Sequence, residues 1–280
     1  GLLFGAGGAG GAGGVAAAGG RGGRGGLLGS DGATGAAGGS PTVETAYDAG
    51  QEYMRLKVLI NDQPIKVELD TGSAGLIVPI TMLDADKLGP TTGQQGTTQF
   101  AEWGRFTYTV HQASLDFGNG MVTAGTPIGV VTELQVLHGT TWVTIPPDEW
   151  SDPQYAADLA PVMGVGPYTG YPIASPIRML PGSLSAGLLV NGPQYPPGIA
   201  GQITFGENPL PPVTSVPGWV YTELAVQVSY DSPEDCTANP AKCITGRQKV
   251  TATIDSGGLG GGLSQSMLPE ALSQWPMNQP

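Results

Sequence analysis

The stretch Leu69-Asp70-Thr71-Gly72-Ser73-Ala74-Gly75-Leu76-Ile77-Val78-Pro79 decides the reading of the fold. A β-like run, Val67 to Leu69, ends in an acidic residue, turns through Thr-Gly-Ser and leaves as an apolar strand. Glycine permits a tight turn and the close approach of a ligand, and the hydroxyls of Thr71 and Ser73 can orient a carboxylate. A single Asp-Thr-Gly fits a plain strand-turn-strand with a solvated Asp. The chain, however, repeats the pattern. Thr253-Ile254-Asp255-Ser256-Gly257-Gly258 gives the same order of apolar residue, Asp, hydroxyl residue and Gly, again after a β-like run. The two acids lie 185 residues apart, which predicts two related half-domains that each bring one carboxylate to a shared site.

Composition narrows the alternatives. A formal charge of -12 gives no basic face for a nucleic-acid backbone and suits a secreted protein that must stay in solution. No apolar run reaches the length needed to span a bilayer. The chain does not begin with Met and shows no signal peptide, so it reads as a piece of a longer protein. Cys236 and Cys243 are spaced for a small disulfide-closed loop with a turn at Asn239-Pro240, or stand as two separate thiols. Two cysteines and the distant His111 and His138 make no metal-ligand set, so no metal is expected. Neither histidine has a nucleophile-elbow Gly-x-Ser-x-Gly to serve.

Residues 1–48 read as a glycine-rich tail or linker: 19 of the 47 glycines fall in the first 40 residues. Such a segment has little apolar surface to offset the entropy of ordering, and disorder is expected. Beyond it, Tyr53 to Ile60 and Pro64 to Leu69 predict a hairpin about Asn61-Asp62, and Phe106 to Phe117 with Met121 to Glu133 a second about Gly118-Asn119-Gly120. Thr81 to Leu88, Asp152 to Leu159, Pro176 to Leu180 and Met267 to Gln274 are short helical candidates. Gly201 to Gly206, Trp219 to Ser229 and Lys249 to Ile254 are β-rich. The acids Asp62, Asp84 and Asp86 read as solvated loop charges.

Together the two Asp motifs resemble those of the pepsin-like aspartic proteases: Leu69 to Ser73 with Leu76 and Val78-Pro79 for the first, Asp255-Ser256-Gly257 for the second. Pro161-Val162-Met163-Gly164 is similar to the segment that passes beneath the first catalytic loop of that family. Gly201 to Gly206 resembles the strand that opens the crossing to the second lobe, and Cys236 and Cys243 lie where many members carry a small disulfide. The glycine-rich segment ahead of such a domain is similar to the PE-PGRS proteins of mycobacteria.

The resemblance implies an all-β, bilobal fold with short helices. Residues 49–200 would form the N-terminal lobe and residues 201–280 the start of a C-terminal lobe that is incomplete, since the sequence stops 25 residues after Asp255. It implies a secreted or cell-surface endopeptidase, a monomeric domain that acts on peptide or protein substrates without a cofactor. Asp70 and Asp255 would be the catalytic pair, with Thr71, Gly72, Ser73, Ser256 and Gly257 in support. Two departures leave a non-catalytic peptide- or glycan-binding module as the alternative. Gly258 stands where the family carries a hydroxyl residue. The family's flap tyrosine has no counterpart, Phe100 and Trp103 being the nearest candidates, of which only the Trp N–H can donate a hydrogen bond.

Overall fold

A computed structural model describes residues 6–15, 17–26, 29–47, 53–100, 104–152, 155, 159–166, 172–192, 200–206, 221–229, 243–245, 247–253, 255–256 and 265–269. The protein is mostly β, in keeping with a pepsin-like architecture. Its strands in chain order are β1 (Thr42–Tyr47), β2 (Met54–Ile60), β3 (Gln63–Asp70), β4 (Ala74–Pro79), β5 (Thr91–Phe100), β6 (Gly104–Asp116) and β7 (Val122–His138). There follow β8 (Thr141–Ile145), β9 (Val162–Val165), β10 (Leu188–Asn191), β11 (Gly201–Phe205), β12 (Tyr221–Val226) and β13 (Gln248–Thr253).

Eleven strands form one sheet in the order β10-β11-β1-β2-β3-β9-β4-β7-β6-β5, with β8 paired to β7. An additional β2–β6 pairing closes the path from β2 through β3, β9, β4, β7 and β6 into a ring. The β2–β3 hairpin turns at Asn61 and Asp62, both at positive φ (47° and 65°), the turn that matches the right-handed twist of its strands. In β2 alternate residues are buried, so Met54, Leu56, Val58 and Ile60 enter the interior. They meet Val67, Leu69, Leu76, Val78, Leu115, Ile128, Val130 and Met163 in the main core. A second cluster gathers Ile77, Phe106, Tyr108, Val110, Val131, Leu134, Trp150 and Ile173. Each large aliphatic side chain sequestered this way contributes about 1.5–3 kcal/mol.

The order of strands follows from β9. It lies between β3 and β4, parallel to the first and antiparallel to the second, although the turn of residues 71–73 joins those two directly. Gly164 pairs with both Asp70 and Gly75, and a Cβ there would lie 2.4 Å from the Ala74 nitrogen. The segment from Pro161 to Gly164 thus runs directly against the turn that carries Asp70, as its sequence suggests.

Two helical expectations resolve into shorter structure. Thr81 to Leu88 becomes two three-residue 3₁₀ turns, Ile80–Met82 and Ala85–Lys87, the second capped by the Asp84 side chain. Pro176–Met179 is also 3₁₀, and Met267 ends the 3₁₀ turn Gln265–Met267, while residues 270–274 of the last candidate lie outside the described residues. Tyr155 and Leu159 are joined by one helical hydrogen bond, with most of the residues between them outside the described set.

The glycine-rich segment departs from the disorder expected of it. Residues 6–14, 17–26 and 29–38 run as three rods joined by backbone hydrogen bonds at three-residue intervals. Gly7, Gly10 and Gly13 donate to Ser30, Ala33 and Ala36; Gly20 and Gly23 donate to Gly11 and Gly8; Gly32, Gly35 and Gly38 donate to Gly23, Gly20 and Ala17. The interval is that of an extended three-residue-per-turn helix. Gly10, Gly22 and Gly35 face inward, where an added Cβ would fall 1.8–1.9 Å from a carbonyl oxygen of the next rod. Order arises from backbones that approach closely, not from side-chain burial. Val15, between the first two rods, packs against the main core and lies at the β6–β7 turn, where a Cβ on Gly120 would fall 3.2 Å from it; the Asn119 side chain of that turn donates to the carbonyl of Thr42, the first residue of β1, at 2.8 Å.

Gly10→Ala or Gly22→Ala is expected to destabilise the rods by about 1–3 kcal/mol, as overpacking does. Gly8→Ala and Gly11→Ala, whose Cβ would meet open space, leave them intact. Amide hydrogen exchange across residues 6–38 checks the contrast.

Candidate functional site

The end of β3 and the residues that follow β13 meet across the turn between Asp70 and Ser73. Ser256 is the joining residue. Its backbone N–H donates to the Thr71 hydroxyl (2.9 Å), its hydroxyl donates to the Leu69 carbonyl (2.7 Å), and that same hydroxyl accepts from the Thr71 N–H (3.1 Å). Gly72 lies so close to Asp255 that a Cβ on it would stand 2.5–2.6 Å from the Asp255 carboxylate atoms. Asp70, Thr71, Gly72, Ser73, Asp255 and Ser256 are therefore brought together at one place.

Asp70 is only 6% exposed. One carboxylate oxygen accepts from the Gly72 N–H at 2.6 Å and the other from the Ser73 hydroxyl. Burial pushes its carboxyl up to about 6; a hydrogen bond and the negative charge from Asp255 act in the same direction, while the Ser73 and Gly72 donors oppose them. Asp255 is exposed and shares this hydrogen bond with Asp70.

Other predicted residues fall as follows. Gly257 and Trp103 lie outside the described residues, and Phe100 ends β5 paired to Gly104, with its side chain also outside them. Cys243 is buried and disulfide-bonded, whereas Cys236 is outside the described residues. His111 is engaged by the Gly89 carbonyl (3.1 Å) and the Thr109 hydroxyl (3.2 Å), and exposed His138 ends β7. Asp62, Asp84 and Asp86 are exposed. Among the described residues no cluster of His, Cys, Asp and Glu could hold a metal ion, and no helix is long and apolar enough to cross a membrane.

Glu68 is the residue that sequence reading passed over. Alternation along β3 places it on the same face as Asp70, opposite Arg55 of β2, and it is 6% exposed. Burial raises its carboxyl to about 7, the charges of Asp70 and Asp255 add to the rise, and Arg55 opposes it. Its strand alternation was the available signal. A cavity of about 420 Å³, lined by Arg55, Ile65, Lys66, Met82 and Pro161 among others, includes no residue of the paired loops.

Both raised carboxyls sit above their unfolded values of 4.5 (Glu68) and 3.8 (Asp70), so each favours folding most at acid pH. The stabilisation is complete below the unfolded value and is lost as pH rises through about 7 and about 6. The melting temperature is expected to be a few degrees lower at pH 8 than at pH 4.5, with the slope reduced in Glu68→Gln. Calorimetry across that range checks it.

Comparison with known proteins identifies the family. Residues 42–279 match the family described as the PE-PGRS C-terminal aspartyl peptidase-like domain. PE cleavage protein A of Mycobacterium tuberculosis (strain ATCC 25618 / H37Rv) is 33% identical over 218 residues, covering 72% of this chain and 37% of that protein. PE cleavage protein A of Mycobacterium marinum (strain ATCC BAA-535 / M) is 33% identical over 183 residues, 58% of this chain and 31% of the relative. The chain thus spans about a third of the length of these curated relatives. With the match extending from the first strand of the sheet past the second Asp motif, the chain belongs to the PE-PGRS C-terminal aspartyl peptidase-like domain family.

Proposed function

We propose that this domain is an aspartic endopeptidase in which Asp70 and Asp255 share one proton and activate a water. The observation that carries the reading is the meeting of the two loops: the hydrogen bonds between Thr71 and Ser256 set the Asp255 carboxylate against Gly72 and beside Asp70. Two carboxyls this close do not both ionise readily, so the pair retains a proton at acid pH.

In the reaction, the ionised member takes a proton from a water as the water oxygen bonds to the scissile carbonyl carbon. The protonated member gives its proton to the carbonyl oxygen. The tetrahedral adduct then collapses: the C–N bond breaks, the nitrogen receives a proton, and a carboxylic acid and an amine leave. One proton is again shared by the pair. The Gly72 N–H and Ser73 hydroxyl hold the Asp70 oxygens in place, and a Cβ at position 72 would push the Asp255 carboxylate out of its place.

The name of the similar mycobacterial proteins, PE cleavage protein A, supports a polypeptide substrate, and we take a PE protein as the first class to try. The location that suits such a role is the secreted or cell-surface compartment.

The test uses the full-length protein with a diverse peptide mixture and mass-spectrometric readout. Cleavage is expected at acid pH and declines as pH rises through about 6, where the shared proton leaves. Asp70→Ala and Asp255→Ala each lower kcat by about 10²–10⁴-fold. Ser256→Ala, which removes a donor and an acceptor from the loop junction, lowers kcat/KM by roughly tenfold or more while the Asp residues remain. A folded wild-type protein that cuts nothing at any pH would sink the proposal and leave the peptide- or glycan-binding module.

A further inference from the structure

Two hollows lie along the β2–β3 hairpin, and the proposed mechanism uses neither. Alternation turns Met54, Leu56, Val58 and Ile60 inward, so Arg55 and Lys57 of β2 face outward. Across the ladder Arg55 stands opposite Glu68, and Lys57 opposite Lys66. A hollow of about 200 Å³ is lined by these three cations and by Glu44, Thr45 and Ala200 among others. The larger cavity of about 420 Å³ shares Arg55 and Lys66 with it and has apolar walls in Ile65, Met82 and Pro161. Neither includes a residue of the loops that carry Asp70 and Asp255.

Three observations mark the smaller hollow as a place for an anion. Lys57 and Lys66 are exposed and directly opposite, a placement of like charges that destabilises a sheet and that an anion between them would relieve. The chain has 11 Lys and Arg against 23 Asp and Glu, yet three of those 11 cations line this one hollow. Thr45 lines it too and is 2% exposed, and its hydroxyl has no hydrogen-bond partner among the described residues. Its register partner in β11 is Gly201, which offers no side chain to meet it. A buried hydroxyl left in this way costs about 1–3 kcal/mol, which an oxyanion accepting from it would recover. The acids at hand are exposed Glu44 and, opposite Arg55, Glu68, which keeps its proton below about 7.

We propose that this face binds an acidic peptide segment, with a carboxylate seated between Lys57 and Lys66 in reach of the Thr45 hydroxyl and a neighbouring apolar side chain in the larger cavity beside Met82. Two hollows that share a wall suit neighbouring side chains of one peptide. An acyl chain would need a single continuous apolar channel, and phosphate alone would leave the apolar cavity unfilled. Met82 is 43% exposed, so its side chain is available to such a partner. The choice of a polypeptide rests on the proteolytic reading above. On that reading the face holds substrate at a distance from the Asp pair and gives a preference for acidic proteins that the residues around the scissile bond do not set.

The experiment measures binding by isothermal titration calorimetry at about pH 6, using the full-length protein with Asp255→Ala so that no peptide is cut. The probes are a capped peptide with a Leu-Glu-Leu core, the same peptide with Leu-Gln-Leu, inorganic phosphate and phosphatidylglycerol vesicles. The Glu peptide is expected to bind about tenfold or more tightly than the Gln peptide. Lys57→Ala combined with Lys66→Ala should weaken it by about tenfold or more, and Thr45→Val by about threefold to tenfold. Met82→Ala should weaken the peptide by about threefold and leave phosphate unchanged. Equal binding of the Glu and Gln peptides overturns the proposal, as does binding that the double lysine variant does not alter. Phosphate that binds as tightly as the Glu peptide leaves a small-anion site only and overturns the peptide assignment. Vesicle capture without peptide binding overturns it in favour of a membrane surface. If Thr45→Val does not fold, the exposed lysine pair still decides the outcome. A wild type that cuts nothing sinks the proteolytic reading, while this binding measurement decides the site independently.

Discussion

The loops that carry Asp70 and Asp255 meet through three hydrogen bonds, and two of them use a single hydroxyl, that of Ser256, as donor to Leu69 and acceptor from Thr71. The third returns from the Ser256 N–H to the Thr71 hydroxyl. Each is worth only about 0.5–1.5 kcal/mol net. Their importance is geometric. Residues 185 apart in sequence are fixed at hydrogen-bonding distance, which brings the Asp255 carboxylate against Gly72 and beside Asp70. From beneath, β9 wedges between β3 and β4 and holds the same turn from the other direction. The turn is therefore over-determined, as a site that must keep two like charges together requires.

That arrangement opposes itself electrostatically. Asp70 is buried, Asp255 is its neighbour, and Glu68 adds a third carboxyl on the same strand face. The Gly72 N–H and the Ser73 hydroxyl stabilise the Asp70 charge, and Arg55 stabilises Glu68, but burial outweighs both sets of donors. The balance tips toward protonation. A cluster of this kind holds together best under acid conditions, where its carboxyls keep their protons.

Much of this was legible in the sequence, for identifiable reasons. Alternation in β2 and β3 and the Asn61-Asp62 turn give the first hairpin directly, because period two and positive φ are local properties. The Asp-Thr-Gly and Asp-Ser-Gly turns mark the place where the loops meet, since few residue sets pack two backbones so closely. Glu68 was missed because a single acid in an alternating strand looks like a solvated face until the covering elements are known. The candidates at Thr81 to Leu88 and Pro176 to Leu180 are 3₁₀ turns because runs of only a few residues supply no complete α-helical turn to propagate. The glycine-rich rods were read as disordered on the argument that no side chains could be buried. The argument fails where the backbone itself is the packing surface, and the three-residue period of Gly7, Gly10 and Gly13 was the overlooked sign.

The β5–β6 hairpin shows how the same elements constrain one another beyond the paired loops. A free two-stranded hairpin bends at little cost. Here β7 accompanies β6 from Asp116 to Gly104, the last residue before the turn region, and β8 extends the sheet past Leu134. The Arg105 guanidinium stacks over the Trp142 ring at 4.3 Å, tying the hairpin end to β8. Bending the hairpin alone would break the β6–β7 ladder and that contact together. The hairpin's position is thus set by β7 and β8, which continue its sheet.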